Sequence, residues 1–497
     1  MVALRAKYIV VAAAVAAFGA CLASSFHFDD YAILSDPVLT SPSGWWQVWQ
    51  PLQTRPLTYF TFWLNYQLGG ANPAGYHLVN LLLHLGAVLM LMRVLRRRLP
   101  DSAVLVAAAL FALHPIQAEA ALYIFARATL LATLLCLVSF DAWLLEKRWL
   151  AAGWFALALA SKEECVAFPL VLLLMHVMER RNVRERWPIA GMLALSLASG
   201  LRVFAALRAH PDAPAGAQAG VSVLDYLSAQ GPVILRYLRL LVIPAGFTVD
   251  PDIAIPSAAV ALAAWVVLAA AIIALAFRLR GSPYAFWILA GFILLAPSSS
   301  IFPAQDLAAD RRMYLPVVAF SAAVGLLAAR LDRRVVAGFA AILALLSFER
   351  SMVWMSEESL WEEAVRRAPA KIRPKIQLAR AVAPPRAIEL LNEAKRLAPE
   401  NANVATELGR ALLAAGRPAE ALGEFGRALA LEPASARAIN NRGVALMALG
   451  QNDAARQDFE RALRVDPCQP DARANLHQMG VTPPLGPGCR DVVAGAQ

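Results

Sequence analysis

Asp29 and Asp30 stand side by side at the end of an apolar run, Tyr8 to Phe26, that is long enough to cross a bilayer. Two adjacent carboxylates in that place read either as helix-capping groups of a loop or as part of a site, because ionised groups at membrane depth are costly to keep. His114, Glu119, Arg127, Lys162, Glu163, Glu164, Asp310, Arg311 and Arg312 also fall at ends of apolar runs, all on the side of the aspartates. A one-sided mixture of acids and bases suits chemistry on an anionic lipid headgroup. Arginine and lysine hold phosphate, and a carboxylate takes the proton of an attacking hydroxyl. A transporter's proton relay would instead spread its acids through the membrane to both faces. Asp141, near the opposite end of its run, is the exception and reads as structural. His114 precedes a proline and reads more readily as a helix-end cap than as a ligand. It is neither three nor four residues from Glu119, and there is no Cys/His cluster, so no metal is implied.

The elements that must position these groups follow from composition. Mean hydropathy is +0.53. Hydrophobic residues make up 59% of the 497 and charged residues 16%, more apolar surface than a soluble chain of this length can bury. The expected fold is all-α, a polytopic bundle of membrane helices with a soluble part. The net charge of +10 is not a nucleic-acid signature, because its basic clusters mark every second gap between apolar runs. They are Arg5/Lys7, Arg93/Arg96/Arg97/Arg98, Lys147/Arg148, Arg180/Arg181/Arg184/Arg186, Arg278/Arg280 and Arg330/Arg333/Arg334. Cytoplasmic loops carry such clusters. The alternation gives eleven crossings near 8–26, 77–95, 102–118, 122–144, 149–162, 165–179, 187–207, 256–277, 283–299, 314–330 and 335–350, the first an uncleaved signal anchor. Those at 102–118, 149–162 and 165–179 are short for a full span. An odd count puts the soluble part opposite the basic loops. Trp45, Trp46 and Trp49 read as interface residues of a short surface helix, and Pro232 to Pro244 as a surface or re-entrant helix.

After Glu349 the chain becomes charged, Ala-rich and periodic. Gly409/Gly443, Ala421/Ala455, Phe425/Phe459, Ala428/Ala462 and Pro433/Pro467 recur 34 residues apart, the tetratricopeptide pattern of small, aromatic and Pro positions. The expected division is a membrane domain at 1–350, repeats over 351–480 (clear at 402–435 and 436–469, degenerate at 368–401) and a flexible tail at 481–497. Of the five cysteines, Cys21, Cys136 and Cys165 lie in apolar runs, and Cys468 and Cys489 lie in the outward part, where a bridge between them is one of two open states.

The order of several motifs is specific. Asp29-Asp30, Arg55-Pro56-Leu57-Thr58, Asn72-Pro73 and Gly75-Tyr76-His77-Leu78-Val79-Asn80 are followed by His114-Pro115-Ile116, Ala126-Arg127-Ala128, Ser161-Lys162-Glu163 and Arg312-Met313-Tyr314-Leu315-Pro316. Together with the repeats they resemble the transmembrane O-mannosyltransferases with tetratricopeptide repeats, within the GT-C fold of polyprenyl-phosphate-sugar-dependent glycosyltransferases, in a bacterial-type member. Asp310-Arg311-Arg312 departs from the Ala-Glu-Arg of that family. The resemblance implies an inverting transfer of a sugar, mannose among the candidates, from a lipid phosphate to an acceptor hydroxyl on a protein or glycan. It aligns Asp29 with the catalytic base, with Asp30 beside it as a second catalytic-site carboxylate. Arg127, Lys162 and Arg312 become candidates for the donor phosphate, and Arg55, His114, Glu119 and Glu163 for support, Glu119 by orienting Arg127. Neither cofactor nor metal is expected. The expected partners are the polyprenyl-phosphate sugar, membrane lipids and an acceptor recruited by the repeats, and the expected place is a bacterial inner membrane with periplasmic repeats. Two other readings compete: a membrane-anchored repeat scaffold without catalysis, and a polyprenyl-linked carrier transporter.

Overall fold

The computed structural model describes residues 2–51, 53–179, 186–209, 221–279, 281–299, 302–304 and 306–484, with 2–6 by backbone alone. The expectations for Arg180, Arg181, Arg184, Arg280, Cys489 and the tail from 485 lie outside the described residues. The chain forms two compact units, Met1–Leu360 and Trp361–Gln497. Among the described residues both consist of helices and connections, with no strand.

In the first unit a helix lies on each stretch expected to cross. Val2–Phe18 continues as a 3-10 turn to Ala23, and Pro73–Leu95, Asp101–Leu113, Arg127–Leu144, Arg148–Leu159 and Phe168–Met178 follow. Arg186–Ala209, Ala258–Arg278, Pro283–Leu295, Tyr314–Ala328 and Arg333–Val353 complete the set. Among the described residues six helices are long and apolar enough to cross a membrane, or seven if the pair Asp101–Leu113 and Pro115–Leu122, bent by 49°, is one span. Starts are set locally. Asn72 accepts the amide of Ala74 at 3.0 Å ahead of Pro73, and Ser282 accepts that of Ala285 at 3.3 Å ahead of Pro283.

Arg148–Leu159 has 12 residues and Phe168–Met178 has 11. At 1.5 Å per residue these rise roughly 17–18 Å, against a hydrocarbon core of about 30 Å. Neither helix spans that thickness alone, and a short turn connects the two. That turn carries Lys162, Glu163 and Glu164. Small residues let other helices of this unit pack closely. A Cβ on Gly325 would run into the carbonyl oxygen of Ala103, and one on Gly291 would meet the Phe320 ring at 2.5 Å. Val223–Val242 has Pro232 in its interior and begins well before the stretch read from sequence. It buries Tyr226, Val233, Tyr237 and Leu240 and is not among the candidate spans. The three tryptophans sit on the 3-10 segment Pro42–Trp49 and are half exposed.

The second unit is a stack of antiparallel helix pairs: Ile372–Ala381 with Pro384–Leu397, Ala402–Ala414 with Pro418–Leu431, and Ala436–Ala448 with Asn452–Val465, followed by Pro470–Gln478. The degenerate repeat at 368–401 is therefore a complete pair. Ala421, Ala428, Ala455 and Ala462 are fully buried, and so are Phe425 and Phe459. Gly416 and Gly450 turn the chain between paired helices at φ 72° and 77°, where a side chain would be strained. Arg427 donates to the carbonyl of Pro399 at 3.0 Å, and Arg461 repeats the contact on Pro433 at 3.1 Å.

The repeat packing gives a paired prediction. Gly443 faces the Phe459 ring, where an added Cβ would come within 2.6 Å, whereas Gly426 has nothing within 4 Å. Alanine gains up to about 1 kcal/mol of helix propensity over glycine, and overpacking costs ~1–3 kcal/mol. Gly443→Ala should lower the stability of the repeats and Gly426→Ala should raise it. Denaturant melts of the full chain followed by a probe in the repeats measure both, and equal shifts would refute the packing.

Candidate functional site

The two aspartates have separate environments. Asp30 is fully buried, and its two oxygens accept the amides of His27 at 2.9 Å and Phe125 at 2.8 Å. It staples the first outward loop to the turn that follows Leu122. Burial pushes its carboxyl up to about 8, and Asp29 adds to the rise, while its two backbone hydrogen bonds and Arg127 oppose it. Asp30 therefore does not sit beside Asp29 facing substrate hydroxyls, as the sequence suggested, because both its oxygens are used inside the protein. Asp29 is exposed, and one of its oxygens accepts the Tyr123 hydroxyl at 2.8 Å. Phe28, just before them, has φ 44°, an unusual conformation for a side chain of that size, and its ring packs against Tyr123 and Trp354. His27 donates to the Trp354 carbonyl at 2.9 Å, which fixes the loop against the end of Arg333–Val353.

Arg127 is fully buried. Its guanidinium donates to Asn80 Oδ1 at 2.9 Å and to the carbonyls of Thr61 at 3.1 Å and Tyr76 at 3.0 Å, over the Phe62 ring at 4.5 Å. Its donors end on protein oxygens, so the geometry assigns it to holding Pro56–Gly69 against Pro73–Leu95 rather than to an incoming phosphate. Glu119 does not orient it. That carboxylate binds the guanidinium of Arg311 and accepts the Arg311 amide at 3.0 Å.

Lys162 and Arg312 line one cavity, together with Thr129, Thr133, Glu164 and Ser298. Lys162 Nζ donates to Thr129 Oγ1 at 2.7 Å and pairs with Glu164 at 2.9 Å. Arg312 is held by the carbonyls of Leu307 at 3.1 Å and Asp306 at 2.7 Å, neutral partners that leave its charge in place. The buried Thr133 hydroxyl has no hydrogen-bond partner. Arg55 and Glu163 form their own pair at the rim, with Nε to Oε2 at 2.9 Å. Thr58 donates to the Ser161 carbonyl at 2.9 Å, which packs the helix Pro56–Gly69 onto the Lys162 turn. His114 accepts the Ile116 amide on Nδ1 at 3.1 Å and donates from Nε2 to the Leu241 carbonyl at 3.3 Å, the helix-end role read from its position. Among the described residues no three potential ligands converge as a metal site.

The sequence reading passed over Tyr123, Thr133 and Arg236. Arg236 pairs with Asp310 at 2.7 Å from a helix that looked merely semi-apolar. A signal for Arg236 existed, a cation interrupting a buried helical face. None existed for Tyr123, whose role depends on a loop folding back across many residues. Arg311 lies over the Tyr123 ring at 5.8 Å, so the line Asp29, Tyr123, Arg311 leads to the neighbour Arg312 and its cavity.

Asp30 carries a pH prediction. Its carboxyl rises from the ordinary 3.8 to about 8 on folding. Its contribution to stability is thus full below the lower value and is lost as pH rises through the higher one. Melting of the detergent-solubilised protein should fall with rising pH across that window, and Asp30→Asn, neutral throughout, should flatten the slope. An unchanged slope would mean that the loop is not held by a neutral Asp30.

Residues 50–202 match the family described as dolichyl-phosphate-mannose-protein mannosyltransferase, and residues 406–475 match the tetratricopeptide repeat. The chain is similar to protein O-mannosyl-transferase F38B6.6 of Caenorhabditis elegans, 26% identical over 412 residues, which is 74% of this chain and 59% of that protein. It is also similar to protein O-mannosyl-transferase Tmtc2 of Drosophila melanogaster, 40% identical over 139 residues (25% of this chain, 15% of that one). Protein O-mannosyl-transferase TMTC4 of Homo sapiens is 33% identical over 164 residues, 27% of this chain and 22% of that one. The chain spans less than two thirds of the length of each of these curated relatives. With a mannosyltransferase-type membrane segment followed by tetratricopeptide repeats, the chain is a membrane protein related to the protein O-mannosyl-transferases.

Proposed function

We propose that this chain transfers a sugar, mannose by its relatives, from a polyprenyl-phosphate donor to an acceptor hydroxyl of a protein on the outward side of the membrane. One observation carries the proposal: three cavities of the first unit share lining residues in series. Lys162 and Arg312 line the first, at the end read as outward. Leu294 and Leu315 are shared with an apolar cavity walled by Cys136, Phe140, Phe168 and Val171. Trp287 is shared in turn with a cavity at the other end, beside Met175, Met178 and Phe286. Two cations at one end of an apolar crevice suit a phosphate with a long hydrocarbon tail.

In this reading Lys162 and Arg312 hold the phosphate, and the negative charge that grows on it as it leaves is stabilised by groups already in place. Asp29 has one oxygen fixed by Tyr123 and the other free to take the acceptor proton. The acceptor oxygen attacks the anomeric carbon from the face opposite the phosphate, in a single inverting step. Tyr123 is a positioning residue. Eleven crossings put the repeats outside the cytoplasm, in a bacterial periplasm, where they receive the acceptor.

Reconstituted protein with polyprenyl-phosphate mannose tests the chemistry. Asp29→Asn should lower turnover by ~10²–10⁴, the usual loss for a general base, with the donor KM little changed. Lys162→Ala should raise that KM. Near-normal transfer by Asp29→Asn would remove Asp29 as the base. No transfer by wild type from any polyprenyl-phosphate hexose would leave the scaffold reading in its place. Topology has its own check: a reporter active only in the cytoplasm, fused after Pro467, should be silent.

A further inference from the structure

Resting on that reading, we infer that Glu164 sets the charge of the phosphate cavity so that it accepts the donor and expels the product. Glu164 lines the cavity with Lys162 and Arg312, and its Oε2 lies 2.9 Å from Lys162 Nζ. The other charged groups around it are engaged elsewhere: Arg55 with Glu163, Arg236 with Asp310, and Arg311 with Glu119 and, at 3.7 Å, with Asp306. Tyr226, which faces Arg312 and Glu164, donates its hydroxyl to the Ser298 carbonyl at 2.9 Å. The lining of the cavity is thus two cations and one carboxylate, a net charge of +1. The unpartnered hydroxyl of Thr133 adds a neutral donor.

The reaction changes the charge of what this cavity holds. The donor is a phosphodiester with one negative charge. In the transfer the acceptor oxygen bonds to the anomeric carbon, and the bond from that carbon to the phosphate oxygen breaks. Its electron pair stays on the phosphate, and the acceptor proton goes to Asp29. The product is a lipid phosphomonoester, which carries up to two negative charges once pH exceeds its second pKa of about 6. A cavity of charge +1 balances the diester. The monoester dianion overfills it and is repelled by the Glu164 carboxylate. Glu164 can then return to Lys162 as the product leaves, so the lysine is never left as an unpaired buried cation. Glu164 touches neither the sugar nor the acceptor. It determines which charge state stays bound.

Glu164→Gln raises the lining to +2. It should tighten inhibition by polyprenyl monophosphate at least about tenfold, the scale of one charge-assisted hydrogen bond, and lower kcat through slow product release. Glu164→Asp keeps the charge and should stay near wild type. The gap between Glu164→Gln and wild type should close below about pH 5, where the product is a monoanion. Uncharged polyprenol should inhibit every variant alike. Wild-type transfer with unchanged polyprenyl monophosphate inhibition in Glu164→Gln would overturn this inference and leave the donor reading standing. Absence of lipid-dependent transfer in wild type would instead remove that reading. Should Glu164→Gln not accumulate, wild type alone decides: its inhibition by polyprenyl monophosphate should weaken between about pH 5 and 8, and strengthening over that range would refute the charge balance.

Discussion

The outward half of the membrane unit depends on one buried cation. Arg127 has no exposure to water and gathers oxygens from Asn80, Thr61 and Tyr76. Asp30 is within its electrostatic reach, and no ion pair joins the two among the described contacts. A buried charge left without partners costs ~3–5 kcal/mol, so the two helices that supply these oxygens cannot drift apart. Phe125, two residues before Arg127, gives its amide to Asp30. The arginine and the aspartate thus clamp the same short turn from opposite sides. Asp29 is exposed because its neighbour is not. The positive φ of Phe28 is tolerated because Asp30 and the packing of Phe28 on Tyr123 and Trp354 over-determine the loop.

Much of this arrangement was legible in the chain. The repeats announced themselves because small residues must recur wherever two helices touch, and 34-residue spacing with Phe425 and Phe459 in register has no other simple cause. Helix positions in the membrane unit followed from apolar runs and basic gaps. Asp141 was read as structural, and it accepts from Arg93 at 3.0 Å and Arg97 at 2.7 Å. What sequence could not supply was pairing. Arg127, Lys162 and Arg312 look equivalent as cations beside outward loops, yet one is saturated by carbonyls and two face a cavity. Asp29 and Asp30 are adjacent and of one type, and only the fold of the loop makes one exposed and the other buried. Pairing is long-range, and periodicity carries no information about it.

Many charges in this part of the first unit pair inside the protein, because a buried or half-buried ion is costly without a partner. Arg55–Glu163, Arg236–Asp310 and Arg311–Glu119 are the outcome, and each joins segments far apart in the chain. These pairs make a rigid floor. They also leave Lys162 and Arg312 facing a cavity whose one carboxylate is Glu164.

In the proposed reading the lining of the crevice decides which ligands it can take. Leu294, Leu315, Phe140 and Phe168 offer a tail no polar partner, while the outward end offers hydroxyls and cations. A charge placed midway along would bury an anion among these apolar walls, at a cost of several kcal/mol. The apolar middle therefore favours a headgroup at an end. In the proposed reading the phosphate lies beside Arg312, next in the chain to the Arg311 that lies over the Tyr123 ring, and Tyr123 in turn holds Asp29.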